Sequence, residues 1–383
     1  MFWVNLLHLY QPPYQEKRIL DKIFKESYEK ILKILELNPL AKITLNINAS
    51  LTEQLARHGY KNFLKRIKDL VAKGQIELTG SAAYHALLPL IPKTEIIRQI
   101  KLNEKINQKY FGPTWQPQGF FPPEMAYHKK IAKIIKTQGY QWLVLDEIAY
   151  QGNFNQVDYE KKYLINFSQK LKVIFRDRHL SQLFFGPTLD SADKFFKSIK
   201  KNHIKAQFLV TAFDGENLGH HQKDLPEIWE NILKRFKNKT LTYSEYLAKL
   251  SQKQKISPLA STWATEREDL KNKNPYPLWS QPKNKIHQYQ WQITQLILKE
   301  FKREKTNLKE SEARNLLDQA LASDQYWWAS QRPWWSPGLI KRGLNLFSQI
   351  LESDQGRIKL KTKEKIKQLR QKILKEIKLN EKK

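Results

Sequence analysis

Two carboxylates far apart in the chain occupy unusual sequence settings. Glu124 lies in Gly119-Phe-Phe-Pro-Pro-Glu-Met-Ala-Tyr127, and Asp214 lies in Ala212-Phe-Asp-Gly-Glu-Asn-Leu-Gly-His-His221. Each follows a short apolar run that predicts a buried strand, and each falls where that strand gives way to a loop. The catalytic groups of parallel barrels come from these C-terminal strand ends. Two carboxylates that converge there can carry out glycoside hydrolysis, because one attacks the sugar and the other transfers a proton.

The residues beside each carboxylate favour a chemical role and leave a structural one open. Glu124 follows two prolines, which fix the backbone and present the side chain on a stiff turn. Its structural alternative is an acid at the N-terminus of the helix that follows. Asp214 precedes Gly215, which suits a tight turn, and its structural alternative is an Asx-turn residue. Glu216, two residues later, is a rival acid whose side chain we expect to point away.

Apolar runs alternate along the chain with segments of helical periodicity. Seven strands are expected, and Thr240–Tyr243 is a candidate for an eighth. The seven runs are Phe2–Leu7, Ile43–Ile47, Gln75–Thr79, Gln118–Phe121, Gln141–Leu145, Lys172–Arg176 and Ala206–Ala212. Strands that alternate with helices favour a closed or nearly closed parallel barrel over residues 1–250. The alternative is an open doubly wound sheet, but no glycine-rich phosphate loop follows any of the runs.

The sequence changes character after residue 250. Four prolines interrupt residues 251–284, a segment that also contains Trp263 and Trp279, and this pattern predicts a long ordered loop. Residues 285–383 keep a helical period to the end, which predicts a helical bundle packed on the barrel. Its expected helices lie near Lys285–Arg303, Lys309–Ser330, Pro337–Ser353 and Lys361–Ile377.

Composition narrows the class of protein and its partners. The chain has 383 residues and no cysteine, so disulfides and thiolate metal sites are excluded. Its formal net charge is +29, but the basic residues are mostly lysines spread over helices, so nucleic acid is not an expected partner. Because there is no signal-peptide pattern and no apolar run of about 18 residues, we expect a soluble cytoplasmic protein without a membrane partner. The sequence does not indicate an oligomeric state.

Five stretches, in their order along the chain, carry a resemblance to a known family. They are His8-Leu-Tyr-Gln-Pro12, Gly74–Gly80 with Tyr84-His85, Gly119–Glu124, Ala212–Gly219 and Ala320-Leu-Ala-Ser-Asp-Gln-Tyr-Trp-Trp328. The chain resembles glycoside hydrolase family 57, the α-amylase-like retaining enzymes. The resemblance implies an incomplete (β/α)7 TIM-like barrel followed by a C-terminal helical region, and it extends to about residue 350.

The resemblance also implies catalytic roles and an activity. Carried over from the family's third and fourth motifs, Glu124 is the nucleophile and Asp214 the general acid/base. The implied activity is that of a retaining hydrolase or transglycosylase on α-glucans or related oligosaccharides, of amylase or 4-α-glucanotransferase type, without cofactor or metal. The first motif departs from the usual His-x-His-Gln-Pro, because Tyr10 stands where the second histidine is expected.

Further residues are predicted to bind the substrate. His8 ends the first strand, and its imidazole can hydrogen-bond a sugar hydroxyl. Glu77 is expected to point into the barrel, where a carboxylate needs a partner, and Arg176 is a candidate for it. Indole rings stack on sugars, and we therefore expect some tryptophans to line subsites. The predicted substrate-binding set is His8, Gln11, Glu77, His85, Arg176, His221, Trp263, Asp324 and Trp328.

The late motif predicts a second wall of the sugar cleft. Asp324 lies one helical turn before Trp327-Trp328, so these side chains can face the same way. Trp327-Trp328 and Trp334-Trp335 flank a helix break at Gln331-Arg332-Pro333, where aromatic side chains can reach outward. We expect residues 285–383 to close one side of the active-site cleft.

Two other classes of protein are weighed against this reading. Zinc α-mannosidases and metal-dependent polysaccharide deacetylases use related barrels and need His and Asp ligands near the first strand end. Tyr10 occupies the place of that aspartate and is a poor zinc ligand. A catalytically inactive protein that binds carbohydrate or nucleic acid is the other alternative, and the presence of both Glu124 and Asp214 argues against it.

Overall fold

A computed structural model describes residues 1–202, 206–302, 311–354 and 356–381 of the chain. The chain forms two compact units. One comprises Met1–Ala83 and Leu88–Trp263, and we call it the barrel unit. The other comprises Tyr84–Leu87 and Ala264–Lys383, and we call it the helical unit.

The strands of the described residues all lie in the barrel unit. They are β1 Phe2–Leu9, β2 Ile43–Ile47, β3 Ile76–Leu78, β4 Gly119–Phe120, β5 Trp142–Asp146, β6 Lys162–Ile165, β7 Ser168–Arg176, β8 Phe208–Asp214, β9 Thr240–Leu241 and β10 Lys253–Ile256. The seven predicted strands correspond to β1–β5, β7 and β8, with shifts of a few residues at their ends. The eighth candidate forms β9, which pairs with the start of β1.

Seven parallel strands form a nearly closed barrel within the described residues. One run of pairing has the order β3-β2-β1-β8 and the other continues β7-β5-β4. A parallel bridge between Gly80 and Phe120 joins β3 to β4. Between β7 and β8, the Asp177 N–H donates to the Val210 carbonyl at 2.8 Å. This architecture is the predicted incomplete (β/α)7 barrel.

Alternation along β1 and β8 decides which side chains face the barrel interior, because successive side chains of a strand point to opposite faces. Val4 and Leu6 of β1 and Val210 of β8 belong to the inner core. Trp3, Leu7 and Leu9 of β1, together with Leu209 and Phe213 of β8, pack outward against helices. His8 and Asp214 share the parity of the inner residues and end their strands. Both therefore lie at the carboxyl mouth of the barrel, facing inward.

The helices of the barrel unit surround the sheet. They are α1 Lys17–Ile23, α2 Glu29–Leu37, α3 Ala49–Arg57, α4 Lys61–Ala72, α5 Lys93–Phe111, α6 Lys129–Thr137, α7 Ile148–Gln151, α8 Arg178–Gln182, α9 Ala192–Asn202, α10 Leu225–Phe236 and α11 Tyr243–Lys249. A π-helical turn at Phe24–Tyr28 joins α1 to α2. Their apolar stripes, for example Ile31, Leu32 and Leu35 of α2, cover the outer face of the strands.

Two strands were missed by the sequence prediction. Residues 162–165 form β6, which pairs antiparallel with β7, and Lys253–Ile256 form β10, which pairs with β6. β10 lies in the segment for which a long loop was predicted. Three of its four residues, Lys-Gln-Lys, are polar and at least partly exposed, so this short strand shows no apolar periodicity.

The helical unit contains the remaining helices of the described residues. They are α12 Arg267–Lys271, α13 Lys285–Lys302, α14 Glu312–Ala320, α15 Asp324–Trp327, α16 Pro337–Glu352 and α17 Leu360–Asn380. Helix α13 packs against α17, and α14 packs against α16. On α17 one apolar stripe at helical spacing is buried, formed by Ile366, Leu369, Ile373 and Ile377. Arg303 and Lys309, which bound two of the predicted helices, lie outside the described residues. Among the helices described in either unit, none has the length and hydropathy of a membrane span.

Candidate active site

His8 is held at the mouth of the barrel by two neighbouring strands. It pairs in register with Asn46 of β2 and Asp214 of β8. Asn46 donates to Thr79 and directs its amide oxygen at His8 Nδ1, 2.7 Å away. Burial lowers the pKa of His8 to about 4, so the ring is neutral near pH 7. The Nδ1–H then donates to Asn46, and Nε2 is the acceptor nitrogen.

Glu124 occupies a strained turn directly after β4. Its backbone lies in the left-handed region with φ 60° and ψ 16°, and Met125 follows with φ 47°. Residues with a side chain rarely adopt this conformation, and it persists only where surrounding contacts hold it. The Trp263 indole Nε1 donates to Glu124 Oε2 at 2.9 Å, and the Trp263 N–H donates to the Glu124 carbonyl at 3.1 Å. Trp263 therefore fixes both the backbone and the carboxylate of Glu124.

Trp263 also joins Glu124 to the other side chains of the mouth. The ring of His8 lies edge-on to the Trp263 indole, with the ring centroids 6.0 Å apart. The Phe121 ring also lies edge-on to this indole, with the centroids 5.9 Å apart. The Arg176 guanidinium lies over the indole, 5.1 Å from its centroid. A cation at this distance from an indole face is attracted by its π electrons. Three predicted site residues, His8, Arg176 and Trp263, are thus brought together beside Glu124.

Arg176 is anchored by a buried ionic cluster. Its Nε donates to Asp146 Oδ2 at 2.7 Å, and its Nη1 donates to the Ala212 carbonyl at 2.9 Å. Arg178 donates to the same carboxylate from Nη2 at 2.7 Å. Asp146 thus holds both arginines, and the Arg176 guanidinium presents its positive charge to the neighbouring Asp214.

Asp214 is an acid whose protonation is set by opposing effects. Enclosure by the protein raises the pKa of its carboxyl, and the positive charge of Arg176 partly offsets that rise. A general acid must hold its proton near the operating pH, so a raised pKa suits this task. The side chain remains partly exposed at the end of β8.

Glu216 is buried and directed towards the segment that follows β1. Its Oε1 accepts a short hydrogen bond from the Tyr28 hydroxyl, and it also accepts bonds from the Tyr10 N–H and Gln11 Nε2, each at 3.2 Å. Burial and the charge of Asp214 raise the pKa of Glu216, while the Tyr28 hydrogen bond lowers it. Gln11 is itself buried in this network, and its contact with substrate stays a prediction.

Glu77 has different partners from those predicted. It accepts from the Ser244 hydroxyl by a short bond, from the Ser244 N–H at 3.0 Å and from Thr44 Oγ1 at 3.3 Å. The predicted pairing with Arg176 is wrong. Glu77 pairs in register with Thr44 of β2, which precedes Asn46 by two residues. At this level of the barrel the Glu77 carboxylate meets the N-terminus of α11. Arg176, at the end of β7, is satisfied by Asp146.

His221 lies at the end of the loop that contains Asp214. This segment, Asp214–His221, is called the acid loop below. Its neighbour His220 contacts Glu26 through Nδ1 at 2.6 Å, while His221 is exposed.

The helical unit brings together predicted residues from two distant motifs. His85 contacts Ser323 Oγ through Nδ1 at 3.0 Å, and the Ser323 N–H donates to the His85 carbonyl. Asp324 follows directly, and its carbonyl accepts from the Trp328 N–H at 2.9 Å. Trp328 is 6% exposed, whereas Trp334 is 45% exposed. Sugar binding by His85, Asp324 and Trp328 stays a prediction, as does closure of the cleft by residues 285–383.

Two parts of the site had no signal in the sequence. The bond between Trp263 and Glu124 and the bond between Tyr28 and Glu216 each join distant parts of the chain. Neither pair lies at a spacing that periodicity can detect. In the described ranges, no group of three or more His, Asp or Glu side chains is arranged to hold a metal ion.

A parallel barrel with acidic side chains at the carboxyl ends of β4 and β8 is the arrangement of a barrel glycosidase, and the model of glycosyl hydrolase family 57 matches this chain. It matches residues 4–258, more than half of the chain. The chain therefore belongs to glycosyl hydrolase family 57.

Curated relatives match about two thirds of the chain. An α-amylase of Pyrococcus horikoshii is 25% identical over 268 residues, which is 67% of this chain and 41% of the relative. A 4-α-glucanotransferase of Thermococcus litoralis is 21% identical over 267 residues, covering 67% of this chain and 40% of the relative. The chain thus spans about two fifths of the length of these relatives.

A solved structure has the same fold over most of the chain. The family 57 branching enzyme of Thermococcus kodakaraensis superposes with a TM-score of 0.74 at 15% identity. The match covers 96% of this chain and 94% of that one. The incomplete barrel followed by helices is therefore the fold of this chain.

Proposed function

We propose that the protein cleaves or transfers α-glycosidic bonds of α-glucans or related oligosaccharides, with retention of configuration. Glu124 is the nucleophile and Asp214 the general acid/base. The observation that carries the proposal is the position of the two carboxylates, Glu124 in the turn after β4 and Asp214 at the end of β8. Trp263 donates to Glu124, and Arg176 lies over Trp263 and carries the charge that acts on Asp214. Retaining enzymes require one ionised and one protonated carboxyl at such a mouth.

The first chemical step forms a covalent intermediate. The Glu124 carboxylate attacks the anomeric carbon while Asp214 donates its proton to the glycosidic oxygen. The bond between that oxygen and the anomeric carbon breaks, and the leaving sugar departs as an alcohol. The bond from Trp263 aims Glu124, and the raised pKa of Asp214 keeps its proton available.

The second step reverses the roles of acid and base. The Asp214 carboxylate takes a proton from an incoming hydroxyl, whose oxygen attacks the anomeric carbon and releases Glu124. Water as the incoming group gives hydrolysis, and a sugar hydroxyl gives transfer. The neutral Nε2 of His8 is suited to accept a hydrogen bond from a sugar hydroxyl during both steps.

The relatives motivate the choice of substrate. Two of them are named α-amylase and 4-α-glucanotransferase, and the structural neighbour is a branching enzyme. Amylase and 4-α-glucanotransferase type activity on α-1,4-linked glucans is the specific form that we propose. A binding protein without activity is disfavoured because both carboxylates are present and oriented at the barrel mouth.

Chromatography of products from maltooligosaccharides, amylose and an α-galactoside tests the proposal. The wild-type protein should shorten or redistribute the α-glucans. Glu124→Gln keeps the shape and removes the attacking charge, so it should lower kcat at least ~10³-fold while its circular dichroism stays that of the wild type. A surface variant such as Glu268→Gln is the matched control.

Leaving-group dependence distinguishes the role of Asp214. Asp214→Asn should lose most activity on maltooligosaccharides and retain much more on activated aryl α-maltosides, which need no acid in the first step. Near wild-type turnover by Glu124→Gln, on any of these substrates, would rule out the nucleophile assignment.

A further inference from the structure

The helical segment after β1 contains a π-helical turn. Helix α1 ends at Ile23, the turn covers Phe24–Tyr28, and α2 begins at Glu29. π-Helical turns are rare in proteins, and those that occur often lie at functional sites. In an α-helix, successive side chains point about 100° apart, so three in a row do not share one face. A widened turn relaxes this restriction.

Three successive residues of this turn contact the acid loop. Glu26 Oε2 lies 2.6 Å from His220 Nδ1. Ser27 donates from Oγ to the Gly215 carbonyl at 2.8 Å. Tyr28 donates to the Glu216 carboxylate by a short bond. Ser27 and Tyr28 are completely buried, so these bonds form away from bulk water.

The backbone of the acid loop also fits closely against the turn. Gly219 has φ +108°, and a Cβ at this position would lie 1.9 Å from the Glu26 carbonyl oxygen. The loop is closed on itself as well, since the N–H groups of His220 and His221 both donate to the Glu216 carbonyl. The turn and the loop therefore form one interlocked structure.

We propose that the π-helical turn positions the general acid, with Tyr28 and Ser27 as positioning residues that act through Glu216 and Gly215. This proposal rests on the assignment of Asp214 as the acid. Asp214 begins the acid loop, and it is followed directly by Gly215 and Glu216, which accept hydrogen bonds from Ser27 and Tyr28. Fixing Gly215 and Glu216 fixes the direction of the Asp214 side chain, which must meet the glycosidic oxygen within hydrogen-bonding distance.

Kinetics with a series of aryl α-maltosides of different leaving-group pKa tests the proposal. In Tyr28→Phe, kcat/KM should fall about 10-fold or more for the poorest leaving groups and less than about 3-fold for the best, which is part of the 10²–10⁴-fold contribution of a general acid. The slope of log kcat/KM against leaving-group pKa should become more negative. Ser27→Ala should change the slope in the same direction by a smaller amount.

Tyr246→Phe is the matched control, because Tyr246 is also buried and donates its hydroxyl to a backbone carbonyl, that of Tyr159. It should keep the wild-type slope. An unchanged slope in both Tyr28→Phe and Ser27→Ala would overturn the proposal, including the case in which activity falls equally on all substrates. If Tyr28→Phe does not fold, Ser27→Ala alone decides.

Asp214→Asn separates this proposal from the proposed function. If Asp214→Asn shows no dependence on the leaving group, the assignment of the acid is wrong and the positioning role falls with it. If Asp214→Asn shows the dependence and the Tyr28 and Ser27 variants do not, only the positioning role is wrong.

Discussion

Arg176 is the residue that acts on both candidate carboxylates. It lies over Trp263, which donates to Glu124, and its charge lowers the pKa of Asp214. Asp146 holds it in place through a bond from Nε. An arginine fixed by a carboxylate gives a charge of constant position, which a flexible lysine does not supply.

Removal of this charge should shift the pH dependence of activity. In Arg176→Met the pKa of Asp214 should rise further, because the positive charge that offsets the effect of burial on this pKa is gone. Asp214 then keeps its proton to higher pH, and the basic limb of kcat/KM should move up by about 1 pH unit or more. The measurement is a pH profile with maltooligosaccharides.

Arg66→Met serves as the control for this experiment. Arg66 also binds two carboxylates, those of Glu29 and Glu36, but lies on the helices. Its loss should leave both limbs of the profile where they are. A basic limb that moves down in Arg176→Met would contradict the electrostatic role given to Arg176.

At the scale of elements, the contact between the acid loop and the π-helical turn is the tightest fit of the site. Gly219→Ala should destabilise the protein by about 3 kcal/mol or more, since the left-handed backbone costs about 1–2 kcal/mol and the clash with Glu26 adds an overpacking cost. Urea unfolding followed by tryptophan fluorescence measures the loss.

Gly59→Ala isolates the backbone contribution. Gly59 has φ +94°, close to that of Gly219, and a Cβ there meets nothing within 4 Å. It should cost only the conformational part, about 1–2 kcal/mol. Equal destabilisation by both variants would mean that the loop moves away from Glu26 without cost.

The strand ends could be predicted from the sequence, whereas the side-chain network could not. His8 and Asp214 follow apolar runs, and their position at the barrel mouth follows from strand periodicity. Whether these two side chains face into the barrel depends on which alternate residues of each strand are buried inside it. Val4, Leu6 and Val210, which alternate in phase with them, do lie in the inner core. Glu216 was expected to point away from the site; its carboxylate binds Tyr28, Tyr10 and Gln11, and no local pattern indicates these partners. β10 was missed because a polar edge strand lacks apolar alternation, and β6 was missed because its apolar run, Tyr163–Ile165, is only three residues long.

At the scale of the whole molecule, the net charge of +29 is not used by the proposed reaction. Lysines dominate it, and they attract polyanions without reading sequence. We expect duplex DNA to bind weakly, with Kd of about 10⁻⁴–10⁻⁶ M near physiological salt and a steep loss as salt rises. Fluorescence anisotropy measures this. Nanomolar binding with a sequence preference would point to a nucleic-acid function.

Metal dependence is a second property of the whole protein that can be measured directly. Tyr10 stands where related metal enzymes carry a ligand, so activity should survive exhaustive EDTA treatment, and the purified protein should lack stoichiometric zinc. The assay is activity on amylose before and after chelation, with elemental analysis. Loss of activity that zinc restores would move the protein to a metal-dependent class.

The bond from the Trp263 indole to Glu124 gives the reaction its own optical reporter. The indole N–H donates to the carboxylate oxygen, and formation of a glycosyl ester removes most of that negative charge. The near-ultraviolet absorption and emission of Trp263 should change when the ester forms and recover when it is released. Stopped-flow fluorescence would time both half-reactions on unlabelled sugars, with Glu124→Gln, which binds sugar but forms no ester, as the blank for the response of all eleven tryptophans to binding alone.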